Sequence, residues 1–214
     1  MDAMETMGGS GSAKRTAAVV LAVVGLVMVL AGAVSVVGLA VANRDTTTRT
    51  FDGVRVLDIE GGAGDVEVKA TGDEVGGQVS VEVRRRWSWR KPAVSGRMEG
   101  GTLRLGSGCQ GAFLGLCEAR FLVKVPARVP LTVHTGSGNV TADGMLAGVD
   151  LRTGSGDVRG SALEGGVTAN SSSGNVTVAD ASGDVDASGI AQDPESSHHV
   201  RATTGSCNVE IRRG

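Results

Sequence analysis

Residues 133–158 read VHTGSGNVTADGMLAGVDLRTGSGDV, and the phrase TGSG(N/D)V occurs in them twice, at 135–140 and 153–158. A third version, SSSGNV at 171–176, follows after the same interval of 18 positions. Rows laid out from Val133 with that period put Val133, Leu151, Ala169 and Ala187 in one column and Val140, Val158 and Val176 in a second. Met145, Leu163 and Ala181 make a third column, and Val149, Val167 and Val185 a fourth. A fixed period carrying fixed apolar columns is the signature of stacked repeats.

One such row carries only about four modest aliphatic side chains. That burial does not offset the ordering of its own backbone, so a coil is stable only between neighbours. Gly138, Gly156 and Gly174 are followed by Asn139, Asp157 and Asn175. These pairs mark structural turns, because Gly supplies positive φ and Asn or Asp hydrogen-bond locally. Stacked in register, the three polar residues would form a ladder. An earlier copy, IEGGAGDVEV, places Ile59, Gly64, Asp65 and Val66 at the positions of Val133, Gly138, Asn139 and Val140. A later one, ATTGSCNVEI, places Cys207, Asn208 and Val209 there. The step from Val176 to Val209 falls three positions short of two rows, so the coil holding SGIAQDPESSHHV is expected to be irregular.

Other segments alternate with period two, the pattern of half-buried strands. They are VRVLDIEGGAGDVEV (54–68), GQVSVEVRRRWSWRK (77–91), GRMEGGTLRL (96–105) and ARFLVKVPARVPLTV (119–133). Gly100-Gly101 predicts a tight hairpin, and Pro126 and Pro130 predict an interruption. The chain contains 34 Gly, no Tyr, three Phe and two Trp, a turn-rich composition with little aromatic volume. Its net charge of −2 predicts no nucleic-acid partner.

Residues 17–42 form an uninterrupted uncharged run. That length suits a membrane-spanning helix, which needs about 20 apolar residues. Ala40-Val41-Ala42 also has the form of a signal-peptidase site, the alternative reading. Lys14 and Arg15 precede the run, while Arg44 and Arg49 follow it, so flanking charge is nearly balanced. The turn-rich remainder with its Cys pair favours a cytoplasmic N-terminus and an exterior C-terminal domain. Cys109 and Cys117, bracketing CQGAFLGLC near a hairpin, predict a disulfide. Cys207 is left over, as a small buried thiol or an intermolecular bridge.

Most catalytic readings fail on spacing. A dinucleotide loop needs a third Gly where Thr141, Arg159 and Thr177 stand. A calcium roll needs Asp where Val158 stands. His198-His199 are adjacent and would point to opposite faces of a strand, so they read as a loop rather than a metal site. Asn139, Asn170 and Asn175 begin N-x-S/T sequences, which follow from turn-then-strand composition. No cofactor, small-molecule substrate or catalytic constellation is indicated. RRRWSWRK carries Arg84, Arg85, Arg86, Trp87, Trp89, Arg90 and Lys91. It is either a polyanion-binding patch, for lipid headgroups or wall polymer, or an edge strand whose charges block further pairing.

The apolar N-terminal run, the Cys pair before VKVPARVPLTVHTGSGNV and the recurring TGSGDV turns resemble a bacterial adhesin family of β-strand-repeat domains without assigned function. The Ala, Gly, Val and Arg wording resembles that of actinobacterial chains. The resemblance covers about residues 50–214 and implies a right-handed, single-stranded parallel β-helix at the cell envelope. The expected organisation is a cytoplasmic tail (1–15), a transmembrane helix (16–43), a linker (44–51) and an extracellular all-β solenoid (52–214), with its repeats clearest in 133–186. The expected role is a non-enzymatic, single-pass membrane-anchored adhesin or interaction scaffold that engages wall polymer or another envelope protein. The alternative is an envelope-stress sensor acting through a membrane partner.

Overall fold

The structure, a computed structural model, describes residues 43–72, 77–109, 115–182, 184–188, 191–192, 200–203 and 209–212, with Val24 and Met28. The chain divides into two compact units, Met1–Val41 and Ala42–Gly214. In the first unit Val24 and Met28 are helical and exposed. The span expected at 16–43 otherwise lies outside the described residues, among which no helix is long and apolar enough to cross a membrane.

The second unit is all-β. In chain order its strands are β1 (Asn43–Phe51), β2 (Val56–Ala63), β3 (Val66–Ala70), β4 (Val79–Trp87), β5 (Ala93–Glu99), β6 (Thr102–Gly108), β7 (Cys117–Val125) and β8 (Leu131–Ser137). There follow β9 (Val140–Asp143), β10 (Val149–Ser155), β11 (Val158–Leu163), β12 (Val167–Ser173), β13 (Val176–Ala181), β14 (Val185–Ser188), β15 (Ala191–Gln192), β16 (Val200–Thr203) and β17 (Val209–Arg212). They form a sheet ordered β1-β4-β7-β3-β9-β11-β13-β17-β15 and a second ordered β16-β14-β12-β10-β8-β2-β6-β5.

From β8 to β14 the chain visits the two sheets in turn, and each strand pairs in parallel with the strand one row later. Val149 pairs with both Leu131 and Val167, and Val158 with both Val140 and Val176. The apolar columns of the sequence are therefore the inward positions of these ladders. Val133, Leu151, Ala169 and Ala187 are buried in the second sheet, and Val140, Val158 and Val176 in the first. The earlier copy joins the same stack, with Ile59 beside Val133 and Val66 beside Val140. The buried residues of both sheets form one cluster. It carries Phe121, Leu57 and Ile59 near the start of the stack and narrows to Ala169 and Ala187 near its end, so most of the core is built without aromatic rings.

Uniformly parallel pairing over 52–214 does not hold. β4 runs antiparallel between β1 and β7, and β5 runs antiparallel to β6. The hairpin turns at Gly100 and Gly101, with φ of +57° and +84°, a pair of conformations that Gly adopts without a Cβ penalty. The linker expected at 44–51 is corrected as well. Those residues belong to β1, the outer strand of the first sheet, paired along its whole length with β4. Thr-rich polar sequence is compatible with an edge strand that is solvated on one face. At the far end β17 lies between β13 and β15, so Val176 and Val209 are direct neighbours rather than separated by an intervening coil.

Candidate functional site

Two features concentrate the polar chemistry of the described residues. The first is the repeated corner. Three successive corner residues each accept a backbone N–H from the next row. Asp65 Oδ1 accepts from Asn139 at 3.0 Å, Asn139 Oδ1 from Asp157 at 2.9 Å, and Asp157 Oδ1 from Asn175 at 3.0 Å. Asp65 and Asp157 are flanked by guanidinium groups, Arg120 on the first and Arg159 at 2.6 Å from the second. The N–H of Asn175, and then Arg159, hold the Asp157 carboxyl below its ordinary value of 3.8 against some loss of solvation.

The turns Gly138, Gly156 and Gly174 stack backbone against backbone. A Cβ on Gly156 would collide with the carbonyl oxygen of Gly138, and its φ of +147° already disfavours a side chain. Just ahead of the three later corners a buried hydroxyl, Thr135, Thr153 or Ser171, faces inward. Thr153 Oγ1 donates to Gly138 O at 3.0 Å and Ser171 Oγ to Gly156 O at 2.8 Å. Sequence reading missed this hydroxyl column and the share of Asp65 in the ladder, although Thr135, Thr153 and Ser171 open the three clearest copies of the motif. Gly138, Asn139, Gly156, Asp157, Gly174 and Asn175 are thus brought together as one column whose polar groups bond along the stack.

The second feature is RRRWSWRK. Its first residues extend β4, where Val79, Val81 and Val83 are buried and Arg85 continues the inward row. β4 is the second strand of its sheet, so the edge-strand reading passes to β1. The strand positions brought together are Asn43, Trp87 and Cys117 in one row, and Arg44, Arg86 and Glu118 in the next. Arg84 pairs with Glu82 at 2.6 Å. Arg85 and Lys91 both reach Asp45 at 2.8 Å, and Lys91 lies 5.1 Å from the centre of the Trp87 ring. The Lys91 hydrogen bond and charge, helped by Arg85, hold the Asp45 carboxyl below its ordinary value against an opposing loss of solvation.

Trp89 lies beyond the strand and is 66% exposed. It sits over Gly115, where a Cβ would come within 2.8 Å of its ring. The Cys109–Cys117 disulfide is formed, with Cα atoms 6.0 Å apart, and joins the end of β6 to the start of β7, one strand from each sheet. His198, His199 and Cys207 lie outside the described residues.

Two recesses accompany these features. A crevice between Phe51, Val81, Val94, Leu105 and Phe121 receives the inward face of Arg85, whose Nε is buried without a hydrogen-bond partner. Its free space of about 30 Å³ suits a water or two rather than a metabolite. An open groove on the second sheet carries Asp58, Glu60 and Glu99 opposite Arg97 and Arg104. Arg104 stands 3.9 Å from both Asp58 and Glu99, so opposite charges are interleaved there. Among the described residues no group of three or more His, Cys, Asp or Glu is placed to hold a metal ion.

No protein-family model matches this chain, and no curated protein matches it. Several solved structures are similar at low identity. One is a "putative cell adhesion protein" from Clostridium sporogenes, at 12% identity and a TM-score of 0.48, over 80% of this chain and 100% of that one. Another is a "putative adhesin" from Parabacteroides merdae, at 11% identity and a TM-score of 0.25, over 80% of this chain and 96% of that one. A third, a "putative adhesin" from Bacteroides fragilis, has 9% identity and a TM-score of 0.30, over 79% of this chain and 97% of that one.

Proposed function

We propose that this chain is a non-enzymatic cell-envelope scaffold: a right-handed β-solenoid, anchored by one membrane span and presented outside the membrane for adhesive or other binding contacts. The observation that carries this reading is where the repeated polar groups go. Asn139, Asp157, Thr153 and Ser171 bond to the neighbouring row. A corner whose side chains are satisfied along the stack holds rows in register and leaves the outward faces of the strands for contact. The anchor rests on the uncharged run of residues 17–42. The word adhesin belongs to the similar structures; for this chain the contact role rests on the satisfied corners.

The test uses the full chain expressed in a bacterial host. The expected result is retention in alkaline-washed membranes and removal of the C-terminal domain by protease added to intact cells. A protected domain, or release of the intact chain by the alkaline wash, would sink the anchored exterior reading. Purified chain should then be retained by isolated cell wall or by another envelope surface. Selective co-purification with one membrane signalling protein, with no retention by any surface, would replace the scaffold by the regulatory role.

A further inference from the structure

We infer that the end of the domain where β1 begins is a docking surface for an anionic lipid bilayer, with Trp89 at the interface and Arg44 and Arg86 over the headgroups. This rests on the anchored reading above.

Three observations converge on that end. The first is position. β1 starts at Asn43, immediately after the uncharged run of residues 17–42. Asn43 is the register partner of Trp87, and Trp87 of Cys117. Neighbouring strands are about 5 Å apart, so this row stands within about 10 Å of the point where the chain enters the domain. Chain continuity alone brings a bilayer crossed by that run within reach of this row.

The second is charge. Arg44 and Arg86 are directly opposed on the outward face of β1 and β4, and one step along that face Arg84 opposes Arg120 on β7. Like charges directly opposite one another across strands repel, and an anion placed between them relieves that repulsion. Arg84 and Arg120 already meet Glu82 and Asp65. In the row of Arg44 and Arg86, Glu118 is the single carboxylate, which leaves that row with a cationic excess. Arg85 and Lys91 are directed instead to Asp45. The structure thus divides the basic stretch. Arg84 meets Glu82 on its own strand, and Arg85 and Lys91 meet Asp45 on β1, while exposed Arg86 faces exposed Arg44 across the two strands with exposed Trp89 nearby in the chain.

The third is Trp89 itself. An indole exposed at 66% and seated on Gly115, beside cations, has the apolar body and polar edge that favour a membrane–water interface. A wall polymer would also meet the cations. It gives no reason for the apolar ring or for the proximity of Asn43, so the bilayer is the favoured partner.

The chain has two Trp, so its fluorescence reports on this surface alone. Full-length protein carrying Trp87→Phe is reconstituted into vesicles of brominated phosphatidylcholine, with and without phosphatidylglycerol as about a third of the lipid. Trp89 emission is expected to be quenched at least twofold by lipids brominated high on the acyl chain, more strongly with the anionic lipid. Changing Arg44 and Arg86 together to Gln should remove the anionic dependence. Trp89→Phe, which keeps Trp87, controls for misfolding: urea midpoints of all variants should agree, and Trp87, packed beside Lys91, should be quenched less.

Trp89 that remains open to aqueous iodide and unquenched by bromolipid, in a chain that resists alkaline extraction, overturns the inference while leaving the anchor intact. Release by alkali with quenching retained sinks the anchor and supports the surface. Loss of wall-polymer retention in the Arg variant, with Trp89 unquenched in vesicles, overturns the inference in favour of the polymer.

Discussion

The Oδ1 of Asp157 accepts the backbone N–H of Asn175 at 3.0 Å, from a residue 18 positions further along the chain. A side chain in one row thereby satisfies the backbone of the next. Replacing Asp157 by Ala should cost about 1–2 kcal/mol, the range for losing a side-chain acceptor to a backbone donor. Replacing it by Asn should cost less than about 0.5 kcal/mol, because the carbonyl acceptor is kept and the exposed Arg159 pair contributes little. Urea midpoints of the two variants check the difference. Equal losses would mean that the ion pair, not the ladder, is what stabilises the corner.

The same carboxylate gives a pH dependence. The N–H of Asn175 and the Arg159 charge lower its value in the folded state below the ordinary 3.8. The unfolded chain therefore binds the proton more readily. The contribution is fully present above about pH 4 and is lost as pH falls from there through the lowered folded value. Asp45, lowered by Lys91 and Arg85, acts in the same direction. Melting between about pH 5 and pH 2.5 should show a steeper decline for the native chain than for Asp157→Asn. Parallel curves would show that Asp157 does not supply that slope.

Gly156 is a position poorly able to accept a side chain. Gly156→Ala should cost about 3 kcal/mol or more, from the Gly-only backbone region together with contact against the Gly138 carbonyl. Gly53→Ala, with φ of +70° and open space around its Cβ, should cost only about 1–2 kcal/mol. Thermal melts separate them, at about 2–4 °C per kcal/mol in a domain of this size.

Ala162 and Asp180 occupy the left-handed region at φ of +50° and +54°, at the row position where Gly144 has +74°. The row of Gly144 thus has the residue best suited to this bend, and the two later rows do not. Ala162→Gly should raise stability by about 0.5–1 kcal/mol, since relief of the left-handed penalty exceeds the added entropy of the unfolded chain. A lower melting temperature would show that this bend relaxes to another conformation.

Cys109→Ser with Cys117→Ser should remove about 2.5 kcal/mol on the chain-entropy account for so short a loop. The disulfide joins strands of different sheets. Hydrogen exchange should therefore accelerate in β4 and β7 before β10 and β12. Uniform acceleration would mean that the bridge stabilises the stack as a whole.

The stacked rows were legible because every apolar column recurs at one interval, so Val140, Val158 and Val176 announce one another. The hidden elements lack that redundancy. β1 has no alternating apolar pattern, since Asp45 and Thr47 occupy its inward row and its outer edge is solvated. Its membership comes from pairing with β4, which local sequence cannot display. The Arg44–Arg86 opposition was invisible for the same reason. RRRWSWRK stood out as a charge cluster, but Asp45, the carboxylate that engages Arg85 and Lys91, lies on another strand. The corner ladder was readable in type, and its extension to Asp65 required knowing that β3 stacks directly against β9.

The placement of β17 between β13 and β15 makes the order of assembly consequential. The strand that covers β13 is synthesised after every other strand described. Until it arrives, the growing chain exposes a row of backbone donors and acceptors in the geometry that accepts a parallel strand. A chain cut before Val209 would retain that open edge permanently. Premature termination would thus leave β13 with an unpaired edge that can template pairing with another chain.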